Sequence, residues 1–176
     1  MRKIKLYIAI SLNGKIAKLD GSVEWLESIP VPDGSDYGYA DFYNSIDTTI
    51  QGHNTYKQIL GWGIAFPYKD KKNYVLTSDT SVQDNEDVTF ISTNHIDTIR
   101  LLKNDKGKDI WLVGGGKVNA MLLDAKLIDQ IYIHIMPIIL DAGIDLFGTL
   151  MNDTSLKLIR NKSYSTGVME LVYDII

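Results

Sequence analysis

The sequence contains no cysteine, which excludes disulfides, thiolate nucleophiles and every zinc site built with Cys ligands. Histidine is almost as scarce: His53, His95 and His134 are scattered, with no pair at helical ligand spacing, so no metal centre is expected. No apolar run approaches the ~18 residues of a membrane-spanning helix, and residues 1–10 read as a strand rather than a signal peptide. The expected location is the cytoplasm. An excess of positive charge is missing too: 18 Lys and Arg stand against 22 Asp and Glu, a formal charge of -4. Nucleic-acid binding requires clustered cations that release counterions from phosphates, so that class of partner is not expected.

What is present is an ordinary globular composition, 45% hydrophobic and 23% charged over 176 residues, a length that suits one domain. Apolar β-branched runs alternate with amphipathic stretches, the pattern of strands joined by crossover helices. Strands are predicted over 3–11, 48–50, 73–78, 88–92, 110–113, 130–140, 156–165 and 168–176, the last two joined as a hairpin near Thr166-Gly167. Helices are predicted over 37–46, 55–60, 96–102 and 118–127. The fold class expected is therefore α/β, a mixed but mostly parallel central sheet flanked by helices and finished by an antiparallel C-terminal hairpin.

Two strand-to-helix junctions carry glycine. The first, Val113-Gly114-Gly115-Gly116-Lys117-Val118, follows the continuously apolar run 110–113. Backbone without side chains can approach a diphosphate there, the open N–H groups of a helix start attract its charge, and Lys117 adds a cation. A plain glycine turn is the alternative. The second, Gln51-Gly52-His53-Asn54-Thr55-Tyr56, offers a Thr hydroxyl beside a glycine, or else an ordinary N-cap at Asn54 or Thr55. Ligands of open α/β sheets gather at such strand ends.

In chain order, residues 8–17 (Ile-Ala-Ile-Ser-Leu-Asn-Gly-Lys-Ile-Ala), Gly52 with Thr55-Tyr56, residues 72–78, the glycine run 113–118 and Ile131-Tyr132-Ile133-His134 resemble the dihydrofolate reductase superfamily. The similarity is greatest to the C-terminal reductase domain of the riboflavin-biosynthesis bifunctional deaminase-reductase. The resemblance covers nearly the whole chain. It implies a single dihydrofolate reductase-like domain and an NADPH-dependent oxidoreductase that passes hydride to a small pyrimidine or pterin-like heterocycle. It further implies that Ala9 and Ile16 hold the nicotinamide carboxamide through their backbone, that Gly114, Gly115, Gly116, Lys117 and Val118 with Val113 seat the diphosphate, that Gly52 and Thr55 close it from the other side, and that Thr77 and Ser78 flank the adenosine ribose. Where the family usually has Arg to clamp the 2'-phosphate, this chain has His53, a weaker phosphate partner than a guanidinium. NADPH remains the expected cofactor, with Ser78, Lys117 and Lys71 assisting. A chain without Cys has no zinc deaminase half.

On the substrate side the resemblance implies a carboxylate at the start of the helix after residue 36. Asp36 falls nearest and Asp41 is the other candidate; a desolvated ring alongside would raise the pKa of such a group, while the alternative is a helix-start acid favoured by the dipole. Trp25 matches a tryptophan of the loop over the site, or anchors a loop. His134 points toward the substrate cleft in this alignment, or is a core histidine. Tyr37, Tyr39 and Phe42 stack on a flat ring or fill the core. The remaining alternatives are a true dihydrofolate reductase and a dinucleotide-binding module without catalysis. The sequence also allows a homodimer through its C-terminal strands.

Overall fold

A computed structural model describes residues 1–31 and 35–176. Eight strands form one sheet in the order β5-β4-β3-β6-β1-β7-β10-β9, comprising β1 (Ile4–Ser11), β3 (Ile46–Gly52), β4 (Lys72–Leu76), β5 (Thr89–Ile91), β6 (Asp109–Gly114), β7 (Gln130–Met136), β9 (Leu156–Ser163) and β10 (Met169–Ile175). All neighbours from β5 to β7 pair parallel, and β10 runs antiparallel to both β7 and β9. Parallel neighbours need crossovers, and α2 (His53–Leu60), α3 (His95–Asn104) and α4 (Gly116–Asp124) supply them; α1 (Tyr39–Asn44) leads into β3. None of these helices is long and apolar enough to cross a membrane.

The sheet is covered on both faces. On one, Ile4, Leu6, Ile50, Ile110, Leu112 and Ile131 meet the apolar sides of α3 and α4, including Ile99 and Leu122. On the other, Ile46, Val75 and Trp111 meet Phe42 of α1 with Tyr56 and Ile59 of α2. Double coverage explains why β6 reads as an uninterrupted apolar run. The exception is β9, an edge strand exposed along its whole length, with Leu156, Leu158 and Ile159 each more than 40% accessible.

Three departures from the sequence reading have local causes. The helix expected over 37–46 is shorter, because Ile46 is fully buried as the first residue of β3. The strand expected over 130–140 stops at Met136, since Pro137 has no N–H to continue the ladder. A second, two-stranded sheet of β2 (Lys15–Ala17) and β8 (Ile144–Asp145) was not foreseen; strands so short carry no periodicity to read. It lies against the start of α4, where the Gly148 N–H donates to the Gly116 carbonyl at 2.8 Å.

Candidate active site

The two glycine-bearing junctions are neighbours, because β3 and β6 pair directly, with Gln51 opposite Gly114. Gly114 and Gly115 adopt φ of 129° and 103°, a region that L side chains avoid. A Cβ on Gly115 would lie 3.1 Å from the Thr55 hydroxyl, and one on Gly116 would lie 2.3 Å from the Asp145 carbonyl. Glycine is thus demanded twice in succession, once by backbone conformation and once by the close passage of β8. Thr55 also donates to the Gly114 carbonyl at 3.4 Å, tying the bends together.

Neither helix start is sealed by its own side chains. α2 is capped by Gly52 and α4 by Gly115, and among the described residues no side chain hydrogen-bonds to the first turn of either. The N-cap alternative for Asn54 and Thr55 is therefore not realised, and both first turns keep N–H groups open to an anion. Lys117 is exposed beside them. A diphosphate fits this cradle.

Beyond β3, Thr77 follows β4 and is buried, and its hydroxyl meets His53 Nδ1 at 3.0 Å; Ser78 is exposed next to it. His53 is half-buried, with its ring edge-on to Phe90. Lys71 is elsewhere. It precedes β4 at the amino end, pairs with Asp70 at 3.0 Å and lies 4.1 Å over the Tyr43 ring, one strand length from His53, so it does not assist there.

On the other side of β6, Ala9 is half-buried opposite His134 in the β1–β7 ladder, and Ile16 lies in β2. Trp25 packs into a cluster with Met136, Leu140 and Val168 against Ala9, and among the described residues its indole N–H has no partner.

His134 is buried. Its Nε2 faces two acceptors, the Tyr37 carbonyl at 3.2 Å and Glu170 Oε2 at 3.4 Å, while Glu170 Oε1 pairs with Arg160 at 2.9 Å. That nitrogen therefore carries the ring proton, and burial holds the imidazole below its ordinary pKa. Tyr7 joins the group by donating to the same carbonyl at 3.4 Å, and burial raises its hydroxyl pKa. Glu170 was missed in the sequence, where Met169-Glu170-Leu171 is an unremarked polar position in a strand.

The acids expected on α1 behave differently from the sequence reading. Both Asp36 and Asp41 are exposed. The Asp36 carboxylate accepts the N–H groups of Ala40 (2.7 Å) and Gly38 (2.9 Å), which hold its pKa below the usual carboxylate range rather than above it. It ties the turn to the first residues of α1, whose N-cap is Gly38, and so behaves as the helix-start acid weighed above. Phe42 is core, stacked on Tyr7 with ring centroids 4.1 Å apart. The Tyr37 hydroxyl is tethered to the Pro30 carbonyl at 2.8 Å and to Thr166 at 3.1 Å, and its backbone φ is 57°; it clamps the turn before α1 to the β9–β10 hairpin.

The family model of the RibD C-terminal domain matches residues 68–169. The uncharacterized protein YwjB of Bacillus subtilis is 40% identical over 167 residues, 95% of each chain. Among solved structures, a putative riboflavin biosynthesis protein from Shewanella superposes with a TM-score of 0.88 at 30% identity, covering 100% of this chain and 99% of that one. The deaminase/5-amino-6-(5-phosphoribosylamino)uracil reductase of Thermotoga maritima gives 0.74 at 17% identity; 99% of this chain covers 57% of it. Dihydrofolate reductase from Enterococcus faecalis, complexed with NADP(H), gives 0.69 at 18% identity, covering 98% and 96%. The glycine-bearing strand ends thus sit in a dihydrofolate reductase-like fold, and the chain belongs to the RibD C-terminal domain family.

Proposed function

We propose that this protein is an NADPH-dependent reductase of a small pyrimidine or pterin-like heterocycle, of the 5-amino-6-(5-phosphoribosylamino)uracil reductase type. The observation that carries the reading is the side-by-side placement of the Gly52–Thr55 and Gly114–Val118 bends at the carboxyl ends of β3 and β6. Family membership and the riboflavin-biosynthesis neighbours support the reaction class.

In this reading the open N–H groups of α2 and α4, the Thr55 hydroxyl and Lys117 hold the diphosphate. Thr77, Ser78 and His53 surround the adenosine ribose, and the backbone of Ala9 and Ile16 orients the nicotinamide. When bound, NADPH supplies a hydride. Trp25 and the apolar cluster beneath it exclude water from the face above Ala9, and such positioning supplies much of the rate. Asp36 stays ionised on the turn before α1, so the proton that balances the hydride is drawn from water at the rim. Asp36 and Asp41, the carboxylates expected on α1, are both exposed, which disfavours a true dihydrofolate reductase. The exposed β9 edge, apolar at Leu156, Leu158 and Ile159, suits pairing with a second copy, which sedimentation checks.

Calorimetry with NADPH and NADH, followed by NADPH absorbance with the aminouracil ribosyl phosphate and separately with dihydrofolate, tests the proposal. Binding and oxidation with the aminouracil are expected. Binding without oxidation by either heterocycle identifies a non-catalytic dinucleotide module, and uptake of neither nucleotide refutes the reading.

A further inference from the structure

Buried polar groups in folded proteins nearly always find hydrogen-bond partners, so the exceptions mark places where something else completes the bond. Among the described residues, four buried side-chain atoms have none: Trp25 Nε1, both amide atoms of Gln51, and Asn119 Oδ1. All belong to the carboxyl edge of the central strands. Trp25 packs against Ala9 near the end of β1. Asn119 lies in the first turns of α4, its Oδ1 3.7 Å from where a Cβ on Gly114 would stand. Gln51 is the penultimate residue of β3, opposite Gly114.

Gln51 is the extreme case, since its side chain is fully buried and neither end of the amide is bonded. The same fold satisfies the buried amides of Asn73 and Gln130 at both ends. Asn73, at the amino end of β4, donates to the carbonyls of Tyr68, Lys71 and Asp87 and accepts from Thr49. Gln130 donates to Asp174 at 2.8 Å and accepts from Tyr132 at 3.3 Å. An orphaned amide destabilises the free protein, whereas Met has similar volume and no such cost.

Strand alternation places Gln51 on the face of its partner Val75, under α1 and α2, and opposite to that of Ile50. Val113, Tyr7 and Ala9 lie on the same face.

We propose that Gln51 is a ligand contact of this edge, its amide bonding a neutral group that both donates and accepts: a sugar hydroxyl or a ring lactam. A phosphate is the wrong partner, because Oε1 is itself an acceptor and would face oxygen. The inference rests on the reductase reading, and the group belongs either to the dinucleotide's ribose or to the heterocycle.

The test compares wild type with Gln51→Met in three measurements: thermal midpoint without ligand, NADPH affinity by fluorescence titration, and KM for the aminouracil ribosyl phosphate. The free variant is expected to melt about 3 °C higher and to lose about tenfold in one affinity. Weaker NADPH binding assigns the partner to the cofactor; unchanged NADPH binding with a raised KM assigns it to the substrate. Unchanged values for both overturn the proposal. Should wild type bind no nucleotide, the reductase reading fails on its own, and a crystal structure of the free protein decides Gln51. Enclosed waters bonding both amide atoms overturn the contact, whereas amide atoms left without any partner sustain it.

Discussion

The two edges of the central sheet are built on opposite terms. At the amino edge every buried cation is matched. Arg2 donates to Asp47, to the Thr48 hydroxyl at 2.6 Å and to the carbonyl of Leu102, Lys5 pairs with Asp109 at 2.8 Å, and Lys103 reaches both Asp129 and the Leu127 carbonyl. Asp109 and Asp129 in turn accept the N–H groups of Lys3 and Ile4. At the carboxyl edge the four orphaned atoms, the starts of α2 and α4 without side-chain caps, and the positive-φ Gly114 and Gly115 come together. Charge and burial at the first edge serve the fold alone; the second leaves bonds open for a ligand to make.

The contrast breaks if stability and binding fail to separate along the same line. The largest effect is expected from Arg2→Ala, which leaves Asp47 and Thr48 without their buried donor and lowers the unfolding free energy by about 3 kcal/mol. Denaturant melts check the loss, and NADPH affinity of the folded fraction should not move. Gly115→Val acts in the reverse sense: it sets a branched side chain against Thr55 at a φ of 103° and should cost about 100-fold in NADPH affinity. If that variant binds NADPH normally, the diphosphate does not lie in the glycine cradle. Thr55→Ala removes one hydroxyl and should weaken NADPH about tenfold by the same titration.

The two bends were legible in the sequence because glycine ends a strand and opens a helix at both, and because glycine at 114–116 signals a backbone requirement that no other residue meets; β6 is continuously apolar over 110–113, whereas β3, broken by Asp47 and two threonines, was read over only 48–50 of its seven residues. Asp36 was misleading for a physical reason. An acid at a helix start is equally a cap and a catalyst in one dimension, and only the N–H groups of Gly38 and Ala40 decide between them. Glu170 and Gln51 were unreadable for a different reason: their neighbours come from strands far off in sequence, and a lone polar residue in a β-run looks like an outward-facing one. The β2–β8 pair went unseen because its five residues, three and two, are ordered by the closeness of Gly116 and Asp145 rather than by their own pattern.

The smallest expected effect concerns His134, which lies in β7 opposite Ala9. Its folded pKa is depressed chiefly by burial, so the unfolded chain takes up the proton first as pH falls. The stability tied to the neutral ring is therefore complete above the unfolded value of about 6.5 and drains away below it, as pH drops toward the folded value. His134→Gln keeps an N–H for the Tyr37 carbonyl but does not titrate, so the variant should lose less stability than wild type between about pH 7 and about pH 5, by roughly 1 kcal/mol. Thermal melts across that range read the difference. An identical pH slope in the two proteins would mean that the Glu170 carboxylate cancels the burial cost and that His134 is no part of the acid response.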